Sequence, residues 1–292
     1  MDNQAPAQCA PPDLNLIAPN FKLPAGAIDT HAHVFDSHFP LSPNRSYSPA
    51  MASKQKYFDL LKCLGFSRAV LVQPSVYGLD NSAILDCMAD TTSGLEFRGV
   101  AVISDEQLSS QYLNNLHQQG IRGVRLNLLF KGGLSKDQIS LIASKIADYN
   151  WHFQLLVNVA EFEEIDLFAK NLPLDIVIDH FGHMPVNLGI NHPGFQSLLR
   201  ALDGGKTWLK LSGAYRLTQE RKPPYSDVEV FAKMLINTNI ERMLYGTDWP
   251  HPSINIPMPN DADLLNNFYS WLEGDNELEQ ILVKNPFKLY QF

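Results

Sequence analysis

Residues 27–33 read Ala27-Ile28-Asp29-Thr30-His31-Ala32-His33, and the way this stretch ends decides the fold. Its apolar start suits a strand, and side chains two apart on a strand share a face. The imidazoles of His31 and His33 therefore point the same way. A doubly wound open sheet places a glycine-rich phosphate turn after its first strand. Here that place holds His-x-His, and no GxGxxG occurs anywhere in the chain.

Seven further runs of the same kind follow, at Ala69–Pro74, Phe97–Ile103, Ile121–Asn127, Phe153–Asn158, Asp175–His180, Thr207–Ser212 and Arg242–Asp248. Their starts lie about 31 residues apart on average, the length of one strand–crossover–strand unit. Helical spacing fills the gaps at Lys54–Leu64, Leu108–Gln118, Ser135–Tyr149, Phe162–Asn171, Pro193–Leu202, Ser226–Asn237 and Asp261–Trp271. Gly65 and Gly120 stand where helices stop, and Ser135 stands where one starts. Eight unbroken alternations predict an α/β chain with a single (β/α)8 TIM barrel over residues 26–292. Residues 1–25, rich in Pro, Ala and Asn, are expected to form an extended N-terminal arm.

Composition narrows the function. The 292 residues carry 31 Asp+Glu against 23 Lys+Arg, a net charge of −8. Phosphate affinity needs clustered cations, so no nucleic-acid partner and no anionic membrane surface is expected. No apolar run is long enough to span a bilayer, and the N-terminus lacks a signal-peptide pattern. Three cysteines without a CxxC pair argue against a disulfide scaffold or a thiolate metal site, and a cytoplasmic setting is expected.

In a barrel of this class the C-terminal strand ends carry the active site. Those ends collect Asp29, His31 and His33 from the first run, and Gln73 and Ser75 from the second. Arg125 and Asn127 come from the fourth, and Gln154 and Asn158 from the fifth. The sixth gives Asp179 and His180; the seventh gives Ser212, Tyr215 and Arg216. The eighth gives Asp248 and His251. Packing alone does not call for so many ionisable groups. An arginine aimed into a mouth is costly unless it meets an anion, and guanidinium binds carboxylate through paired hydrogen bonds. Arg125 and Arg216, from opposite sides of the mouth, predict a small anionic substrate with a carboxylate at each end.

The chain resembles the amidohydrolase superfamily through Asp29-Thr30-His31-Ala32-His33 and Asp248. Within it the resemblance is to the amidohydrolase-2 branch, which holds pyrone-dicarboxylate lactonases and sugar-lactone hydrolases. The matching segments include Gln73-Pro74-Ser75-Val76-Tyr77-Gly78, Gly123-Val124-Arg125-Leu126-Asn127, Asp179-His180-Phe181-Gly182, Lys210-Leu211-Ser212-Gly213-Ala214-Tyr215-Arg216 and Gly246-Thr247-Asp248-Trp249-Pro250-His251.

The resemblance implies opening of a small carboxylate-bearing lactone, of the 2-pyrone-4,6-dicarboxylate kind, by water. Asp248 would be the general base, and a modestly raised pKa is expected for it. His31, His33 and His180 would donate hydrogen bonds to the carbonyl oxygen, better as protonated imidazoles. Arg125 and Arg216 would hold the carboxylates, with Ser75, Asn127, Tyr47, Lys131 and His251 beside them. Lys131 stands where the resembled site carries a further arginine. Tyr47 would arrive on the long loop Asp36–Met51.

Much of the superfamily holds divalent metal. The fourth run has no lysine to bridge two ions, and the fifth has no histidine at its C-terminal end. Catalysis without a cofactor is the preferred expectation. A single zinc or other divalent ion on His31, His33, His180 and Asp248 is the alternative. It would go with a metal-dependent sugar-lactone hydrolase, an isomerase or a decarboxylase. A non-catalytic barrel that binds an organic acid is the remaining alternative.

Overall fold

A computed structural model describes residues 6–128 and 135–292. Eight parallel strands lie in chain order: β1 (Ile28–Ala32), β2 (Arg68–Val72), β3 (Glu96–Ala101), β4 (Ile121–Asn127), β5 (His152–Leu156), β6 (Ile176–Ile178), β7 (Thr207–Lys210) and β8 (Met243–Leu244). Each pairs with the next. The circle closes between β1 and the segment after β8. There Thr30 N donates to Tyr245 O at 3.0 Å, Asp248 N to His31 O at 2.8 Å, and His33 N to Trp249 O at 2.8 Å. This is the (β/α)8 TIM barrel that the His-x-His stretch and the spacing predict.

Strands covered on both faces need apolar residues throughout rather than alternation. Ile176–Ile178 and Ala69–Val72 satisfy that, and all are buried. Ile28, Val70, Val72, Val100, Val177, Trp208 and Leu244 form one core cluster together with Leu289 and Tyr290 near the C-terminus. The larger cluster packs the helices on the strands.

Eight helices surround the strands in sequence: α1 (Lys54–Leu64), α2 (Ser82–Met88), α3 (Ser110–Gln118), α4 (Lys136–Ala147), α5 (Ile165–Lys170), α6 (Pro193–Asp203), α7 (Glu229–Thr238) and α8 (Asp261–Tyr269). Helix α1 buries Tyr57, Phe58, Leu60, Leu61 and Leu64 and stops at Gly65, whose φ of 96° suits a residue without Cβ. The helix expected from Leu108 begins instead at Ser110. Ser104 and Gln107 close a separate 3-10 turn just before it, and the Ser109 hydroxyl accepts from Tyr112 N. Beyond α8, Asp275–Tyr290 forms further helical turns that the sequence reading leaves unassigned.

Asp29 holds the closure. It is fully buried and accepts from Thr247 N (2.9 Å), Thr247 Oγ1 (2.7 Å), Tyr57 OH (2.8 Å) and His31 N (3.1 Å). Burial outweighs these donors and pushes its pKa up to about 6. Replacement by Ala strands four buried donors. A stability loss on the order of 3–5 kcal/mol is expected, read as a lowered thermal midpoint.

The segment before β1 lies along α8. Asn20 N donates to Asn266 Oδ1 at 2.8 Å, and the Phe21 ring stacks on Tyr269 at 4.1 Å. Higher up, Asn260 Nδ2 donates to Asp13 Oδ2 (3.0 Å) and to Asn15 O (2.8 Å). Among the described residues no helix is long and apolar enough to cross a membrane.

Candidate active site

The backbone turns sharply where β6 and β8 end. His180, Phe181, His183, Asp248 and His251 all have φ between 49° and 61°. Such left-handed residues cost about 1–3 kcal/mol each and are found where surrounding structure enforces them. Here they release His180 and Asp248 from the strand ladders at the end of the barrel where His31 and His33 emerge.

Four ring and carboxylate atoms meet there. His31 Nε2 lies 3.3 Å from His33 Nε2. Asp248 Oδ1 lies 3.8 Å from His31 Nε2, 3.9 Å from His33 Nε2 and 3.7 Å from His180 Nε2. The other ring nitrogens are held from behind. His33 Nδ1 donates to Val72 O at 2.7 Å, which leaves its Nε2 an acceptor. His180 Nδ1 lies 2.9 Å from Ser212 Oγ. His31 Nδ1 sits between Asp179 Oδ1 (3.2 Å) and Lys210 Nζ (3.3 Å).

Asp248 is asymmetric. Its Oδ2 accepts from Tyr215 OH (2.6 Å) and from Arg216 Nε (2.8 Å), with Arg216 Nη2 at 2.7 Å. Its Oδ1 is buried and has no hydrogen-bond donor among the described residues. Burial alone would raise its pKa, but Arg216, His180, His31 and His33 together hold it well below the usual carboxylate range. This corrects the expectation of a raised value: the arginine read as a pure substrate clamp is also the partner of Asp248. Burial likewise pulls the pKa values of His31, His33 and His180 down, against the expectation of protonated imidazoles.

Beneath the imidazoles lies a second polar layer. Lys210 Nζ donates to Thr30 O (2.9 Å) and Gln154 Oε1 (2.8 Å) and lies 3.5 Å from Asp179 Oδ1. Gln154 Nε2 donates to Asp179 Oδ2 at 3.1 Å. Burial pushes Lys210 down to about 8. Burial would raise Asp179, but His31 and Lys210 outweigh it and hold it well below the usual range.

Above the imidazoles opens a cavity of about 150 Å3. His33, His180, Asp248, Arg125 and Arg216 line it, as do Ser75, Asn127 and Tyr47. Arg125 Nη1 donates to Gln73 O at 3.0 Å, and its buried Nε has no partner among the described residues. No carboxylate pairs with Arg125 among the described residues. Tyr47 is hydrogen-bonded to Ser75, and burial pushes its pKa up to about 12 against the pull of Arg125 and Arg216.

Two expected residues stand elsewhere, and a third is not described. His251 does not line the cavity: its Nδ1 lies 2.9 Å from Tyr215 OH and its Nε2 3.2 Å from Asp261 Oδ1. Asn158 folds into its own loop, donating to Glu161 and accepting from Ala160 N, so Leu156 lines the cavity instead. Lys131 lies outside the described residues. The sequence reading passed over His183, which lines the cavity three residues after His180, and gave Lys210 no role. The His-rich stretch 180–183 was the available signal for the first; the second could not be seen without knowing which strands adjoin.

The donor set fits a divalent cation. His31, His33 and Asp248 place ligand atoms within 4.8 Å of one another, as do His31, Asp179 and His180. Facing ring nitrogens and an orphaned carboxylate oxygen are a donor type that zinc accepts.

An eight-stranded barrel with His-x-His on its first strand and an aspartate after its last is an amidohydrolase arrangement. The amidohydrolase family model (Amidohydro_2) matches residues 28–292, and the chain belongs to that family. It is similar to 2-pyrone-4,6-dicarboxylate hydrolase of Comamonas testosteroni, with 37% identity over 285 residues, 93% of this chain and 92% of that one. It is also similar to 4-sulfomuconolactone hydrolase of Hydrogenophaga intermedia, with 29% identity over 290 residues, 97% and 94% of the two chains. A solved structure of a probable 2-pyrone-4,6-dicarboxylic acid hydrolase from Acinetobacter baumannii, with citric acid bound, superposes with a TM-score of 0.80. The identity there is 29%, covering 91% of this chain and 100% of that one.

Proposed function

We propose that this enzyme hydrolyses a small ring lactone that carries carboxylates, of the 2-pyrone-4,6-dicarboxylate type. The observation that carries the reading is Arg125: a guanidinium on the cavity wall, without a carboxylate partner among the described residues, beside an acid–imidazole cluster. Such a cation asks for an anion from the ligand. The lactone hydrolases named above and the citric acid bound in the Acinetobacter baumannii protein support the same chemistry. A polyol lactone fits less well. Of the amides that would pair with its hydroxyls, Gln154 is tied to Asp179 and Lys210, and Asn158 to its own loop.

In this reading a water molecule sits against Asp248 Oδ1, the oxygen without a donor. It attacks the lactone carbonyl carbon and gives its proton to Asp248. The acyl–oxygen bond then breaks, and the proton passes to the departing ring oxygen. Products are a carboxylic acid and an enol, which together hold the atoms of one water, and the acid then gives its proton to solvent to become a carboxylate. Tyr215 and Arg216 fix Oδ2 and so aim Oδ1.

The imidazoles divide the remaining work. If Lys210 donates to His31 Nδ1, His31 carries its proton on Nε2 and donates it to His33 Nε2. Ser212, donating to His180 Nδ1, leaves an N–H on His180 Nε2. That N–H is the donor for the developing oxyanion, and one such donor is typically worth about 3–4 kcal/mol. Every ring is then neutral and partnered without any added ion. Arg125 holds one carboxylate, with Ser75, Asn127 and Tyr47 around it. Arg216 Nη1, which has no partner among the described residues, faces the second.

A second reading is favoured by the same cluster. If Asp179 accepts from His31 Nδ1, both Nε2 lone pairs face Asp248 Oδ1. His31, His33, His180 and Asp248 would then hold a divalent ion. Such an ion polarises a carbonyl as a Lewis acid. Chelator-treated protein decides between them when assayed on 2-pyrone-4,6-dicarboxylate alongside a neutral sugar lactone. Turnover of the dicarboxylate is expected to persist at metal contents far below one per chain. Loss of turnover on chelation, restored by zinc, would establish the second reading instead.

A further inference from the structure

The N-terminal segment reaches the wall of the cavity. Ala7–Gln8 runs parallel to Tyr47–Ser48, Ala7 opposite Tyr47 and Gln8 opposite Ser48. Cys9 N donates to Ser48 O at 2.8 Å, and Gln8 Nε2 to Pro49 O at 3.3 Å. The same Cys9 touches the loop after β8: Ser253 N donates to its Sγ at 3.4 Å, and Ser253 Oγ lies 3.7 Å from that sulfur. Tyr47 and Ser253 both line the cavity. One residue thus joins two wall loops that are about 200 residues apart in the chain, a separation no local interaction bridges.

A two-residue ladder is weak alone. This one is tethered: four residues on, Asp13 is bonded to Asn260 at the start of α8. A short tether keeps the ladder at high effective concentration. Tyr47 needs the support. It sits on a long loop, the kind of segment that is mobile by default. Its phenol is buried at the cavity beside Ser75, within reach of the charges of Arg125 and Arg216. Holding it in place beforehand removes an ordering cost from ligand binding.

From this geometry we infer that Cys9, with the Ala7–Gln8 ladder, is a positioning residue. It fixes Tyr47 and Ser253 in their ligand-binding arrangement, so the segment before the barrel sets substrate affinity and not the chemical step. The inference rests on the lactone reading of the cavity. Cys9→Pro removes the N–H that pairs with Ser48, and Cys9→Ala removes only the sulfur.

Two measurements on the full chain test it: amide hydrogen exchange over residues 46–49, and steady-state kinetics with 2-pyrone-4,6-dicarboxylate. In Cys9→Pro, exchange is expected to accelerate and KM to rise about tenfold with kcat unchanged. Cys9→Ala is expected to raise KM by about threefold. In a Tyr47→Ala background Cys9→Pro should add no more to KM than Cys9→Ala does, because the Ser48 pairing acts through Tyr47 and only the sulfur acts through Ser253. Unchanged exchange overturns the inference, as does faster exchange with an unchanged KM, or a fall in kcat that tracks thermal stability. A wild type inert toward the lactone would overturn the reading of the site instead. Exchange, which needs no substrate, would then still decide whether Cys9 holds the loop.

Discussion

Asp248→Asn is expected to lower kcat by about 10²–10⁴-fold, the usual contribution of a general base, while the barrel stays folded. The amide has the shape of the carboxylate and can still accept at one atom, but it takes no proton from water. Asp248 is well placed for this loss to be visible. Among the described residues its Oδ1 has no donor while Oδ2 holds Tyr215 and Arg216, so in the proposed mechanism one oxygen anchors and the other reacts. The substitution also leaves the Arg216 charge without its carboxylate. Breaking a buried pair costs roughly 3–5 kcal/mol, and Arg216, slightly exposed at the cavity, should show less. Loss of the ring absorbance of the lactone reports kcat, and circular dichroism with thermal unfolding reports the fold. Near-normal turnover would remove Asp248 from the mechanism. The lowered pKa of Asp248 matters here too: as the proposed base it is ionised near neutrality, and its strength would come from positioning rather than from a raised pKa.

Arg125→Met is expected to raise KM for a lactone dicarboxylate by about 10–100-fold with a smaller change in kcat. Hydrogen bonds to charged groups contribute roughly 1.5–3 kcal/mol, and 1.4 kcal/mol is a factor of ten. Among the described residues only the Gln73 carbonyl bonds this guanidinium, so its loss should fall on the ligand. Arg125→Lys should restore only part, because a point charge does not reproduce the planar fork. A ring analogue lacking the carboxylate should bind wild type and variant equally. If Arg125→Met left KM unchanged, the carboxylate clamp would be wrong.

The barrel was legible because parallel strands buried on both faces leave continuous apolar runs, and eight of them recur at a regular spacing. Where the runs end in His31, His33, His180, Arg125 and Asp248, the sequence also pointed to residues that the structure brings together. What it could not show were partners supplied by other strands. Arg216 reads as a free cation until β7 and β8 are seen side by side, and then it proves to hold Asp248. Lys210 reads as a strand lysine until its amine is found beneath His31. Asn158 and His251 read as site residues because they follow strand ends, yet local turns redirect the first and the Tyr215–Asp261 pair captures the second. The Cys9 contacts carry no pattern at all, since they depend on where two distant loops pass.

Closing the cylinder and assembling the reactive cluster are one event here. Asp29 is clasped by Thr247, and the next residue, Asp248, donates its amide to His31, so the seam between the earliest and latest strands runs through the chemistry. Mild denaturant or warmth that loosens this seam should therefore silence the enzyme while the outer helices still give a native far-ultraviolet spectrum.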